Sequence, residues 1–311
     1  MGHLAYLFPG QGSQKVGMGK DFAERSSWAK EIFARADEAL GFKISEICFE
    51  GPEEKLKLTQ YTQPALLTVS YIAFGLLGKS PRLAAGHSLG EYSALVAAGC
   101  LGFEDALRLV YKRGQYMQEA VPVGIGAMAA VLGATHEDIE QAISQARRGV
   151  VEIANWNSEE QIVIAGHKDA VEEVLSNIKS ARSVLLPVSA PFHTSLMKSA
   201  EERLGPELDA VEFRNLKFPI ITNVEARMIS RGEEARDALK RQVSRPVLWH
   251  GSMMLFQKEN VDTVIEVGSG RVLSGLMKRL GRQWSVPLTL LNVEDGDSLE
   301  KCRQALSGTA G

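Results

Sequence analysis

The chain has 311 residues, of which 45% are hydrophobic and 23% charged, proportions that suit an ordinary globular protein and exclude a disordered tail, a collagen-like repeat or a disulfide scaffold. At roughly 150 residues per domain, the length fits two domains or one large domain carrying an insertion. The 35 Lys and Arg against 38 Asp and Glu leave a net charge of −3, so nucleic-acid binding cannot rest on bulk electrostatics.

Cys48, Cys100 and Cys302 are odd in number and far apart, which reads as three reduced, packed thiols of a cytoplasmic protein. No secretory leader is expected, because the first basic side chain is Lys15 and the first apolar run ends at Pro9-Gly10. Residues 58–78 hold no charged side chain, yet Thr59, Gln60, Thr62, Gln63, Pro64, Thr68 and Ser70 would be costly in lipid. A buried helix is expected there and no membrane span.

Apolar runs alternate with helical patterns along the chain, the signature of α/β layering. A strand over 4–8 opens onto the glycine-rich turn Gly10-Gln11-Gly12-Ser13-Gln14. Helices are expected over 26–40, stopped by Gly41, and over 64–77. A short strand at 83–85 enters a tight turn at 86–90, and helices over 89–98 and 104–118 follow. The middle then changes rhythm: strand 127–132, helix 137–146, strands 150–154 and 161–165 joined by the turn-like Asn155-Trp156-Asn157-Ser158, helix 170–178, strand 183–188. That β-α-β-β-α-β order is a ferredoxin-like pattern. Because its flanks still read as one α/β layer, residues 124–190 are expected to be an inserted small subdomain in a large subdomain of 1–123 and 191–311. The C-terminal part adds a strand at 219–222, helices at 233–243 and 253–258, a strand at 263–267, a helix at 272–280 and a strand at 287–291.

Gly86-His87-Ser88-Leu89-Gly90 is a G-x-S-x-G motif between a short strand and a helix. In such an elbow the serine occupies a strained turn and the glycines let the flanking backbone approach. Ser88 would project its hydroxyl, and the Leu89 N–H would face developing negative charge. The alternative is a glycine-rich turn with an N-cap serine; the strand–helix context favours the nucleophile. A serine needs a base. His87 is badly placed by adjacency, His136 precedes a helix as a surface residue, and spacing does not decide between His193 and His250. No metal-ligand spacing, Walker A or complete dinucleotide fingerprint occurs.

Phe8-Pro9-Gly10-Gln11-Gly12-Ser13-Gln14, Thr62-Gln63-Pro64-Ala65, Gly86-His87-Ser88-Leu89-Gly90-Glu91-Tyr92 and Arg113-Gly114-Gln115-Tyr116-Met117-Gln118 together resemble the malonyl-CoA:acyl carrier protein transacylase family. So do Ser189-Ala190-Pro191-Phe192-His193, Pro246-Val247-Leu248-Trp249 and Glu266-Val267-Gly268-Ser269-Gly270. The resemblance implies an α/β-hydrolase-like large subdomain with a parallel sheet plus the inserted ferredoxin-like one. It implies Ser88 as nucleophile, His193 as base, and the Gln11 and Leu89 N–H groups as oxyanion hole. Arg113 is implied to pair with the free carboxylate of malonyl. Breaking such a buried pair costs about 3–5 kcal/mol, or about two to three and a half decades of discrimination against acetyl. A backbone carbonyl near Gln242 is implied to orient His193 in place of a carboxylate, Gln63 to be a polar site residue, and Phe192 to be the malonyl-selecting form of its motif.

The implied reaction is ping-pong transfer of malonyl from CoA to the phosphopantetheine thiol of acyl carrier protein, supplying fatty acid synthesis in the cytoplasm. No metal or other cofactor is expected. The expected partners are malonyl-CoA and acyl carrier protein, with no nucleic acid or membrane, and a monomer is expected. Arg271, Lys278, Arg279 and Arg282 are either a carrier docking patch or a solvated helix face, the face being the default. The rival readings are a thioesterase, which would want an acidic triad member and a C-terminal histidine, a transferase for methylmalonyl or another acyl group, and a non-enzymatic carrier-binding module with an eroded site.

Overall fold

The computed structural model describes residues 3–178, 182–188, 190–284 and 287–308; Ser189 of the expected histidine motif lies outside them. The described strands are β1 Leu4–Phe8, β2 Leu83–Gly86, β3 Gly126–Leu132, β4 Val151–Ser158, β5 Gln161–His167, β6 Arg182–Leu185, β7 Ile220–Ile221, β8 Met228–Ile229, β9 Thr263–Val267 and β10 Thr289–Val293. They form a six-stranded sheet in the order β10-β9-β1-β2-β7-β8 and a four-stranded sheet in the order β4-β5-β3-β6.

The large sheet is parallel from β10 to β7, and β8 adds an antiparallel edge. Parallel strands covered on both faces read as near-continuous apolar runs. Accordingly β1 is buried at every position: Tyr6 and Phe8 join one core while Ala5 and Leu7 join the other, as the pleat requires. The carboxyl ends of β1, β2, β7 and β9 open on one edge, where α/β sheets hold their ligands.

In the small sheet every neighbour is antiparallel, with the helices His136–Gln145 and Lys168–Asn177 supplying its separate core. This is the ferredoxin-like arrangement. One local expectation fails here. Asn155-Trp156-Asn157-Ser158 is not a turn; β4 runs through to Ser158, and the chain reverses at Glu159-Glu160. The polar run stays extended because the large subdomain satisfies its backbone: Trp156 N–H donates to the Val247 carbonyl (2.9 Å) and Val247 N–H to the Ala154 carbonyl (2.9 Å).

The long apolar helix begins at Thr59, before Pro64. The Leu58 carbonyl accepts from Tyr61 and Thr62 N–H and so sets the start upstream, and Pro64 in the second turn forgoes only a bond to the Gln60 carbonyl. The helix is buried in the main core, and no described helix is long and apolar enough to cross a membrane. The helices Lys198–Asp209 and Gly296–Gly308 were not expected from the sequence. In the first, Gly205-Pro206 reads as punctuation, yet Ala200, Leu204 and Leu208 form a buried stripe at the four-residue spacing of a helix face.

Candidate active site

Ser88 sits between β2 and the Leu89–Ala97 helix at φ 52°, ψ −106°, a conformation that persists only where its surroundings hold it. A Cβ on Gly86 would lie 1.9 Å from the Gly90 carbonyl carbon, and one on Gly90 2.0 Å from the Phe8 oxygen. Both glycines are therefore required for the elbow to fold against β1. Asn223, just past β7, braces the turn from the other side: its Oδ1 accepts from Ser88 N–H (2.7 Å) and its Nδ2 donates to the Gly86 carbonyl (2.7 Å).

His193, itself at φ 62°, puts Nε2 2.7 Å from Ser88 Oγ. Its Nδ1 lies 2.9 Å from the Gln242 carbonyl oxygen. A carbonyl can only accept, so Nδ1 carries the proton and Nε2 presents its lone pair to Ser88. Gln242 ends the Gly232–Gln242 helix, where carbonyls lack intrahelical partners and the dipole is negative; a helix end thus stands where a carboxylate stands in a hydrolase triad. Burial, and then the Arg113 charge, pull the His193 pKa down to about 3 against the opposing pull of the Gln242 bond. The imidazole is neutral at physiological pH and ready to accept a proton.

Arg113, on the Phe103–Glu119 helix, is 1% exposed. Nη1 donates to Gln63 Oε1 (2.8 Å) and Nη2 to Gln242 Oε1 (2.8 Å) and Ser88 Oγ (3.1 Å). Each of these acceptors is a neutral oxygen, so a buried cation is aimed at Ser88 Oγ and hydrogen-bonds only to neutral groups. Burial lowers its pKa, but a guanidinium stays charged. Gln242 also donates its Nε2 to the Ser88 carbonyl (3.0 Å) and to Glu91 Oε2 (2.7 Å). One residue therefore touches base, guanidinium and elbow.

The Leu89 N–H is the first of its helix, one of the donors an α-helix leaves unpaired. His87 N–H donates to the Phe8 carbonyl (3.0 Å), tying the exit of β1, three residues before Gln11, to the elbow. Gln11 Nε2 reaches Thr59 Oγ1 at 3.4 Å. A groove of about 420 Å³ between the subdomains is lined by Gln11, His87, Asn155, Asn157, Arg271 and Arg279, among others. The His87 ring faces that groove's small-subdomain wall, with Nε2 3.0 Å from Asn157 Oδ1 and 3.3 Å from Asn155 Nδ2. Glu266, buried on β9, accepts from the Leu273 (3.0 Å) and Ser274 (2.7 Å) N–H groups and so fixes the helix Val272–Leu280 along this wall. Arg271, Lys278, Arg279 and Arg282 are all exposed, with Arg271 paired to Glu294.

The structure thus brings His193 and Arg113 to the Ser88 Oγ, with Gln242 and Gln63 holding the Arg113 guanidinium. His250 goes elsewhere, packed against Trp156 with ring centroids 5.1 Å apart and planes tilted by 33°. Sequence reasoning missed Asn223, Glu91 and the pair Asn155 and Asn157. Asn223 had a signal, since it directly follows a strand of a parallel sheet, at the edge where sites form. The asparagines were hidden by their reading as a turn.

Residues 5–298 match the acyl transferase domain family. The malonyl CoA-acyl carrier protein transacylase of Escherichia coli (strain K12) is 46% identical over 288 residues, covering 90% of this chain and 93% of that one. The protein of the same name from Bacillus subtilis (strain 168) is 44% identical over 314 residues, 98% of each chain. Among solved structures, FabD from Acinetobacter baumannii superposes with a TM-score of 0.94 at 39% identity over 99% of both chains. A malonyl-transacylase in complex with a type II polyketide acyl-carrier protein gives 0.93 at 41% identity, covering 97% of this chain and 99% of that one.

Proposed function

The chain belongs to the acyl transferase domain family, and from that premise we propose that it moves malonyl from malonyl-CoA to the phosphopantetheine thiol of acyl carrier protein. The observation that carries the reading is the convergence on Ser88 Oγ of His193 Nε2 at 2.7 Å and Arg113 Nη2 at 3.1 Å. Nucleophile, base and carboxylate reader meet at a single atom.

His193 Nε2 takes the Ser88 proton as Oγ attacks the thioester carbonyl. The negative charge that develops on the carbonyl oxygen is received by the Leu89 and Gln11 N–H groups; removing one such donor costs about 2.7–4 kcal/mol of barrier in other enzymes. The C–S bond breaks, the sulfur takes the proton from His193, and CoA leaves as a thiol. A malonyl ester on Ser88 remains, its free carboxylate against Arg113, whose planar fork binds carboxylates bidentately. The carrier's thiol then gives its proton to His193 and attacks the ester carbonyl, and Ser88 departs with that proton. One thioester replaces another, so the balance calls for neither ATP nor a metal. The reading makes the protein a cytoplasmic, monomeric supplier of malonyl carrier for fatty acid synthesis. The exposed Arg271, Lys278, Arg279 and Arg282 suit an acidic carrier at the groove mouth.

Intact mass spectrometry after brief exposure to malonyl-CoA tests this reading. A malonyl adduct is expected that is lost in Ser88→Ala, is weak with acetyl-CoA, and discharges onto carrier protein faster than onto water. CoA release without an adduct would make the protein a hydrolase; neither would leave a binding module.

A further inference from the structure

Glu91 lies in the first turn of the helix that Ser88 opens and is fully buried, and no step above uses it. Its Oε2 accepts from Gln242 Nε2 (2.7 Å) and Asn223 N–H (3.1 Å), while Oε1 has no hydrogen-bond partner among the described residues. A buried carboxylate with an orphaned oxygen and a buried guanidinium with only neutral partners are each costly alone. Here the two are bridged by one side chain, for Gln242 gives its oxygen to Arg113 and its amide to Glu91. The charged groups facing Glu91 are Arg113 from the Phe103–Glu119 helix and Arg241 from the Gly232–Gln242 helix, with the Tyr92 phenol beside it on its own helix. Asn223 and Gln242 contribute neutral contacts. Burial pushes the carboxyl up to about 7, opposed by the Gln242 and Asn223 bonds and the two arginines, which places its titration in the physiological range.

We propose that Glu91 is the counter-charge of Arg113 in the empty enzyme and takes up a proton when a substrate carboxylate pairs with that arginine. The proposal rests on the malonyl reading above. One guanidinium facing two carboxylates in a dry site tolerates one negative charge far better than two. The proton comes from solvent, resides on the Glu91 carboxyl while malonyl is bound, and returns to solvent when malonyl leaves on the carrier. Linkage makes the effect reciprocal: a protonated Glu91 favours an acyl group with a free carboxylate, so preference for malonyl weakens as pH rises. Glu91 is in this sense a specificity-determining residue that never touches substrate.

The test mixes the whole enzyme with stoichiometric malonyl-CoA in weak buffer with an indicator dye, the adduct being counted by intact mass in the same samples. Acylation itself releases no proton, because CoA leaves as a thiol. For a one-unit upward shift, about half a proton should be taken up per malonyl-enzyme at about pH 7.5, and none per acetyl-enzyme. Glu91→Gln keeps an oxygen for the two donors and should abolish the uptake. From about pH 6.5 to about 8.5 the ratio of malonyl to acetyl acylation should fall about sixfold in wild type and stay flat in the variant. If the variant does not fold, the wild-type uptake and its acetyl control decide alone. A malonyl adduct formed without proton uptake overturns the role of Glu91 and leaves the transacylase standing. No malonyl adduct on the wild type overturns both.

Discussion

Ser88 stands between two walls built on opposite principles. The inner wall consists of Arg113, Gln63, Gln242 and Glu91, none more than 1% exposed, joined by bonds of 2.7 and 2.8 Å. The outer wall, with Gln11, His87, Asn155, Asn157, Arg271 and Arg279, borders an open groove between the subdomains. Charge on the inner wall acts at low effective dielectric and has few ways to relax. Charge on the outer wall is screened by water and salt. On the proposed reading, choice of acyl group belongs to the inner wall, and the outer one is free to admit a long carrier arm with loose demands on its position.

The sharpest way to break this division is Arg113→Ala. If Arg113 reads the malonyl carboxylate as proposed, its loss should lower kcat/KM for malonyl-CoA by about two to three and a half decades and leave acetyl-CoA turnover unchanged or higher. Equal losses with both substrates would make Arg113 a structural brace for the elbow. A smaller effect follows from His193. With its pKa held near 3, the rate of Ser88 acylation, followed as CoA release, should change by less than about twofold between about pH 7 and 5. Arg113→Ala removes one of the causes of that depression, so the acid limb of its profile should move upward. The same group has a signed effect on stability. The unfolded histidine protonates around its ordinary value of 6.5 while the folded one resists down to about 3. Stability against urea should thus fall as pH drops from about 6.5 toward 3, less steeply in His193→Gln. On the outer wall, Arg279→Glu should raise KM for the carrier about threefold at low salt, with kcat unchanged and the difference gone at high salt. An effect on kcat that survives salt would erase the distinction between the walls.

Legibility in the sequence followed distance along the chain. The elbow could be read because every requirement falls within five residues: an apolar strand, a serine, and glycines where the backbone closes on Gly90 and Phe8. The two-subdomain plan could be read because β1 and the four-stranded insert carry their periodicities locally. Arg113 could not be read as buried from its own surroundings, since arginine is commonly exposed; only the resemblance pointed to it. Its burial depends on oxygens from Gln63 and Gln242, 50 and 129 residues away. The Asn155–Ser158 segment was misread for the same reason, its extended form depending on Val247.

By itself, then, the amino-acid order determined the layers, the strained turn at Ser88 and the set of candidate bases, because these follow from local sterics and hydrophobic period. The tertiary structure decided which histidine meets Ser88, which helix end orients it, and that a buried arginine and a buried glutamate share one glutamine. Those outcomes depend on desolvation and on hydrogen-bond partners that come together only when the strands and helices carrying them are packed.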